Sequence, residues 1–153
     1  MKVLFTDIDG VLTNAWSFAH GPPLTRAIFD PRCVVELNRI TDTTGAKIVI
    51  SSDWRRFLSD RELVAKFAKE GVTAKIIGST PFLPCTIRGR EIDAWLKTHR
   101  HGRFAILDDD RDMGDLAPFL VRTVFEIGLT AINADRAITI LQQRKIYPRR
   151  KQP

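Results

Sequence analysis

Short apolar runs alternate along this chain with longer stretches in which apolar residues recur every three or four positions. The runs are Val3 to Phe5, Ala46 to Ile50, Val72 to Ile77, Phe104 to Leu107 and Leu120 to Ile127, each of a length that suits a strand covered on both faces. Between them, Val34, Leu37 and Ile40 share one helical face from Cys33, and that helix closes near Thr44-Gly45. Phe57, Leu58, Leu63, Val64 and Phe67 predict a second helix over Trp54 to Glu70, stopped by Gly71. Ile92, Trp95 and Leu96 predict a third over Gly89 to Thr98, and a last helix is expected from Asn133 to Lys145. Strands alternating with helices imply a parallel sheet covered on both sides, an α/β, Rossmann-like three-layer sandwich of about five strands. One stretch breaks the rhythm. Leu12 to Pro31 carries Trp16, Phe18, His20 and the break Gly21-Pro22-Pro23, which predicts a short flap over the end of the first strand.

At 153 residues the chain has room for one core, so residues 1–147 are expected to form a single domain without a large cap, followed by a basic tail over 148–153. No apolar stretch reaches the roughly 20 residues that cross a bilayer, and the first residues lack a secretory pattern, so a cytoplasmic protein without membrane partners is expected. Cys33 and Cys85 are too few for a disulfide framework or a cysteine zinc site. Lys and Arg number 24 against 18 Asp and Glu, a net charge of +6, with basic residues clustered from Arg144 to Lys151. That balance favours phosphorylated or polyanionic partners, RNA or DNA ends among them, although a basic terminus is commonly just a solvated end.

The candidate chemistry lies at the carboxyl ends of the predicted strands. Asp7 and Asp9 follow the first, Ser51 the second, and Asp108 with Asp109 the fourth. In a parallel sheet these ends share one edge, the edge where open α/β folds bind ligands. An isolated Asp-x-Asp is compatible with a solvated turn, but acids on two strand ends and a hydroxyl on a third converge. Carboxylates gathered in this way call for a hard cation such as magnesium, Mg2+. One of them can then attack phosphorus while its neighbour handles the leaving-group proton.

This order of motifs resembles the haloacid dehalogenase (HAD) superfamily of aspartate-nucleophile phosphatases. The matching segments are Asp7-Ile8-Asp9-Gly10-Val11, Ser51 after Ile48-Val49-Ile50, Arg88 or Arg90 in Thr86-Ile87-Arg88-Gly89-Arg90-Glu91-Ile92, and Ile106-Leu107-Asp108-Asp109-Asp110. The resemblance implies Asp7 as nucleophile through an aspartyl phosphate and Asp9 as acid and base. It further implies Ser51 and Arg88 on the phosphoryl oxygens, and magnesium held by Asp7, Asp9 through its backbone carbonyl, Asp108 and Asp109. Two positions stay open. Ser52 competes with Ser51, which the strand register favours; Arg90 competes with Arg88, which immediately precedes the predicted helix.

Ser51-Ser52-Asp53-Trp54-Arg55, Arg88 to Leu96, Leu107 to Asp110 and Gly128-Leu129-Thr130 resemble more closely the small, nearly capless branch found as a phosphatase domain in RNA-repair proteins. That likeness implies removal of a terminal phosphate from a nucleic acid or nucleotide, with Ser52, Arg55 and Arg90 as candidate substrate contacts. Arg55 equally suits an ion pair with a nearby acid, and Trp54 and Trp95 suit core packing better than base stacking. His20, His99 and His101 read as surface residues. The rival functions are a binding module that retains the anion site without turnover, and a small-molecule phosphatase or phosphotransferase. End polarity, RNA against DNA, and oligomeric state are not legible.

Overall fold

A computed structural model describes residues 1–84 and 87–143. Cys85 and the tail 148–153 lie outside the described residues, and the last helix, expected over Asn133 to Lys145, instead runs Ala131–Gln142 and ends at Gln143, whose backbone is extended. The element order is β1 (Val3–Thr6), α1 (Ala15–His20), α2 (Pro31–Thr44), β2 (Lys47–Ile50), α3 (Asp60–Lys69), β3 (Ile76–Ser79), α4 (Arg88–Thr98), β4 (Phe104–Asp108), β5 (Leu120–Arg122) and α5 (Ala131–Gln142). The strands form one parallel sheet in the order β3-β2-β1-β4-β5.

Side-chain alternation along the central strands divides the core. Leu4, Ile48, Ile50, Ala105 and Leu107 face one side, where α2, α3 and α5 cover them with Leu37, Phe67 and Ala137 among others. Val3, Phe5, Val49, Phe104 and Ile106 face the other, under Ile92 and Trp95 of α4 and Leu116. Each large side chain buried in this way contributes roughly 1.5–3 kcal/mol against exposure. The result is the expected α/β/α sandwich without a large cap.

Beyond shifts of one or two residues elsewhere, three further boundaries differ from the sequence reading, each for a hydrogen-bonding reason. The stretch expected as one helix from Trp54 is split into a 3-10 turn, Asp53–Arg56, and α3, because Ser59 and Glu62 form a capping box that starts the helix afresh. The third strand begins at Ile76 rather than Val72. Val72 N–H donates to Phe67 O and Thr73 N–H to Asn38 Oδ1, so those amides finish the helix and are unavailable to the sheet. The fifth strand ends at Arg122, because Ile127 and Gly128 N–H both donate back to Val124 O in a tight turn. The segment 12–31 is a one-and-a-half-turn helix followed by a 3-10 turn, Leu24–Arg26. It is pinned by Asn14, whose side chain donates to Asp30 Oδ2 and to Ile127 O, both at 2.8 Å.

Candidate active site

From β1 the sheet grows in two directions, through β2 and β3 on one side and β4 and β5 on the other. The crossovers part at the β1–β4 seam, and such a switch point leaves a crevice at the strand carboxyl ends. Thr6 is in register with Leu107, and Asp7 N–H donates to Leu107 O at 3.0 Å, so Asp7 and Asp108 leave adjacent strands side by side. Asp109 joins them because Gly10 lets it approach. Gly10 has φ +77°, and a Cβ there would stand 2.5 Å from the Asp109 carboxyl carbon. Ligand oxygens of Asp7, Asp108 and Asp109 consequently lie within 4.8 Å of one another.

The Asp9 carboxylate stands apart from that cluster. Its Oδ1 accepts from Thr13 Oγ1 at 2.7 Å and its Oδ2 from Trp54 Nε1 at 2.9 Å, so both oxygens are oriented by neutral donors. Arg88, the first residue of α4, is the arginine that the structure brings to the acids. Its guanidinium lies 3.5 Å from Asp7 Oδ2, 3.4 Å from Asp108 Oδ2 and 4.0 Å from Asp53 Oδ2. Arg90 is exposed on the same helix.

Both serines follow the carboxyl end of β2, where Ser51 N–H donates to Thr6 O, and their hydroxyls have different surroundings. The Ser51 hydroxyl is buried and has no hydrogen-bond partner among the described residues. The Ser52 hydroxyl bonds to the Asp7 side chain and caps the following 3-10 turn by accepting from Trp54 N–H at 3.3 Å. Arg55 is turned inward. Its guanidinium pairs with buried Glu91 and donates to Ser51 O, Ser52 O and Thr80 O, so it braces the loop that carries the serines. Arg55 thus has an acid partner, as the alternative to a phosphate contact required, but the acid is Glu91, 36 residues away, and not the neighbouring Asp53.

Burial pushes the Asp7 carboxyl up to about 6, partly opposed by the Arg88 charge. Asp108 is pushed up to about 8, by burial first and then by repulsion from Asp7. Asp109 is raised as well, chiefly by burial. Arg88 loses charge stability to burial, but the Asp7, Asp108 and Asp53 carboxylates outweigh this and hold it above the ordinary arginine value. A carboxyl raised on folding contributes stability that is complete below its unfolded value and lost as pH rises through its folded value. For Asp7 and Asp108 the loss falls between about pH 4 and pH 8. The rise from 3.8 to about 6 at Asp7 alone corresponds to on the order of 3 kcal/mol. We expect the melting temperature of metal-free protein to fall from pH 5 to pH 8.5, and magnesium to raise it more at the upper end; a pH-independent response to magnesium would contradict this.

The donor set fits a hard divalent cation. All its atoms are carboxylate oxygens, and among the described residues Asp108 Oδ2 is buried without a hydrogen-bond partner. Arg88 NH1 and Ser51 Oγ are likewise buried and unpartnered. Leaving such a group unsatisfied costs about 1–3 kcal/mol, a debt that a bound cation and phosphoryl oxygens would remove.

Comparison with known proteins decides the family. The family model of the HAD domain in Swiss Army Knife RNA repair proteins matches residues 3–134. The chain belongs to this family. No curated protein matches it in sequence. A crystal structure aligned at 12% identity covers 91% of this chain and 80% of its own, with a TM-score of 0.47.

In this HAD domain several residues that shape the site carry no motif of their own. Thr13 lies one helical turn beyond Asp9 in sequence, a spacing that permits a side-chain hydrogen bond, but Trp54 and Glu91 meet their partners across 45 and 36 residues. The burial expected for Trp54 and Trp95 holds, each being 3% exposed, and Trp54 adds a polar contact to its packing. Cys33 is a buried free thiol. No helix among the described residues is long and apolar enough to cross a membrane.

Proposed function

We propose that this domain is a magnesium-dependent phosphomonoesterase that removes terminal phosphates from nucleic-acid ends or nucleotides. The observation that carries the reading is the placement, at one edge of the sheet, of a carboxylate beside an arginine and, on the neighbouring strand end, a buried hydroxyl without a partner among the described residues: Asp7, Arg88 and Ser51. Asp7 attacks phosphorus in line; its Oδ–P bond forms as the bond from phosphorus to the leaving oxygen breaks, and Asp9 gives that oxygen a proton. Asp9 next takes a proton from water, whose oxygen attacks the aspartyl phosphate. The P–Oδ bond breaks, releasing inorganic phosphate and restoring Asp7. Arg88 and Ser51 bind the equatorial oxygens, where charge spreads in the transition state. Asp7, Asp108, Asp109 and the Asp9 backbone carbonyl are the groups to hold magnesium, which when bound supplies positive charge to the phosphoryl oxygens.

The nucleic-acid substrate is supported by the RNA-repair description of the family, by the net charge of +6 and by the small size of the 12–31 flap. The test is phosphate release from 3′- and 5′-phosphorylated oligonucleotides and from sugar phosphates, with and without magnesium. Metal-dependent release from the oligonucleotides is expected. Efficient release from the sugar phosphates alone would overturn the substrate class, and tight binding of oligonucleotide ends without release would make the domain a binding module.

Trp54 is a positioning residue in this scheme, since it touches Asp9 and not the phosphate. Trp54→Phe keeps most of the ring and removes the Nε1 donor. A lost hydrogen bond to a charged group is worth about 1.5–3 kcal/mol, so kcat should fall roughly tenfold or more while KM is preserved. An unchanged kcat would remove Trp54 from the mechanism.

A further inference from the structure

The geometry points to a nucleobase subsite beside β3, which receives the base of the nucleotide whose phosphate reacts at Asp7; the inference rests on the nucleic-acid reading above. A cleft of about 570 Å3 runs from the end of β3 along α4, walled by residues that include Arg55, Asp60, Thr80, Phe82, Ala94 and His99. That volume is within the range of small-molecule sites. β3 is two strands away from β1, so with neighbouring strands ~4.8 Å apart the two strand ends stand roughly 10 Å from each other, a span that one nucleotide bridges.

The chemistry of the walls suits a flat, uncharged heterocycle better than a second phosphate. Phe82 is 44% exposed, and the guanidinium carbons of Arg55 and Arg56 lie 4.4 and 4.8 Å from its ring centroid. An aromatic ring is a surface on which bases stack, and here the Arg55 guanidinium, whose side chain is only 3% exposed, backs the Phe82 ring instead of offering a plane of its own. The Arg55 charge is already matched by Glu91, and Asp60 places a carboxylate in the cleft, so a phosphate would find no net attraction there. Asp60 accepts from Ser79 Oγ at 2.7 Å and offers an acceptor to a ring N–H or an exocyclic amine. The Thr80 hydroxyl is buried in the cleft wall without a hydrogen-bond partner among the described residues. Arg55 also fixes the register between the two sites, because the same guanidinium holds Ser51 O and Ser52 O on one side and Thr80 O on the other.

The test compares phosphorylated oligonucleotides that carry a normal or an abasic terminal nucleotide, by KM for the wild type and by calorimetric Kd for Asp7→Asn. The base-bearing end is expected to be favoured about tenfold in both. Phe82→Ala should collapse that ratio to near one, whereas Phe82→Trp should keep it; the exposure of Phe82 allows both variants to fold. Equal affinity for the two ends, or a ratio that survives Phe82→Ala, would overturn the subsite. Absence of turnover with the binding ratio intact would remove the hydrolase reading and leave the subsite standing.

Discussion

Asp7→Asn is expected to lower phosphate release by at least about 10^3-fold while making the metal-free protein more stable. The loss follows from the role of Asp7: an amide oxygen is a poor nucleophile and forms no aspartyl phosphate, and removing the reacting group of a covalent mechanism leaves only binding and charge stabilisation. The gain follows from the site. Burial is the largest influence on the Asp7 carboxyl and disfavours its charged form, so at pH 8 the native protein carries an anion that it would hold more easily as a neutral group. Asn is neutral and nearly the same shape, and Arg88 retains Asp108 and Asp53. For a chain of this size, where 1 kcal/mol moves the melting temperature by about 2–4 °C, a rise of roughly 5 °C at pH 8 is expected, shrinking to nothing near pH 4 where Asp7 is protonated in any case. Scanning calorimetry across that range, beside a phosphate-release assay, checks both halves. A variant that is inactive and equally destabilised at every pH would mean that Asp7 is a structural residue.

The same contrast explains what could be read from the sequence. Asp7, Ser51, Asp108 and Asp109 were legible because each sits at the end of a short apolar run, and a parallel sheet brings such ends together whatever separates them along the chain. The choice between Arg88 and Arg90 was not legible from composition, since both precede or begin one helix. That Arg88 lies beside the acids follows from the close docking of that helix start: Gly89 N–H donates to Asp112 O, and a Cβ at Gly89 would stand 2.5 Å from Met113 O, so the glycine lets the helix rest on the loop after β4. The Ser59 to Glu62 capping box was present in the letters, and the apolar periodicity running through it hid the break. The start of β3 depended on Asn38, more than thirty residues earlier, taking the Thr73 amide, which no local pattern announces. Local periodicity thus placed the motifs. Long-range side-chain hydrogen bonds, which leave no periodic trace, set the orientation of Asp9 and the brace on the serine loop.

That brace supplies the other large expected effect. Glu91→Ala should destabilise the domain by about 3–5 kcal/mol, because it leaves the Arg55 guanidinium buried, 8% exposed as a residue, with carbonyl partners but no counter-charge. Burial already lowers the affinity of Arg55 for its proton, and Glu91 is the chief influence opposing that. The effect is not confined to stability, since Arg55 holds the carbonyls of Ser51 and Ser52 while Glu91 sits one helical turn beyond Arg88. Releasing the pair loosens the hydroxyl and the guanidinium that bind phosphoryl oxygens, so kcat of the folded fraction should also fall. Replacing both partners by apolar residues of similar volume, Arg55→Met with Glu91→Leu, separates the two consequences. Removing a buried pair together is often close to neutral for stability, so the double variant should recover much of the folding free energy lost in Glu91→Ala. It should not recover kcat, because methionine cannot donate to the serine carbonyls. Denaturant unfolding and steady-state kinetics on both variants measure this directly; recovery of stability and kcat together would show that Arg55 acts only as a filler of the core.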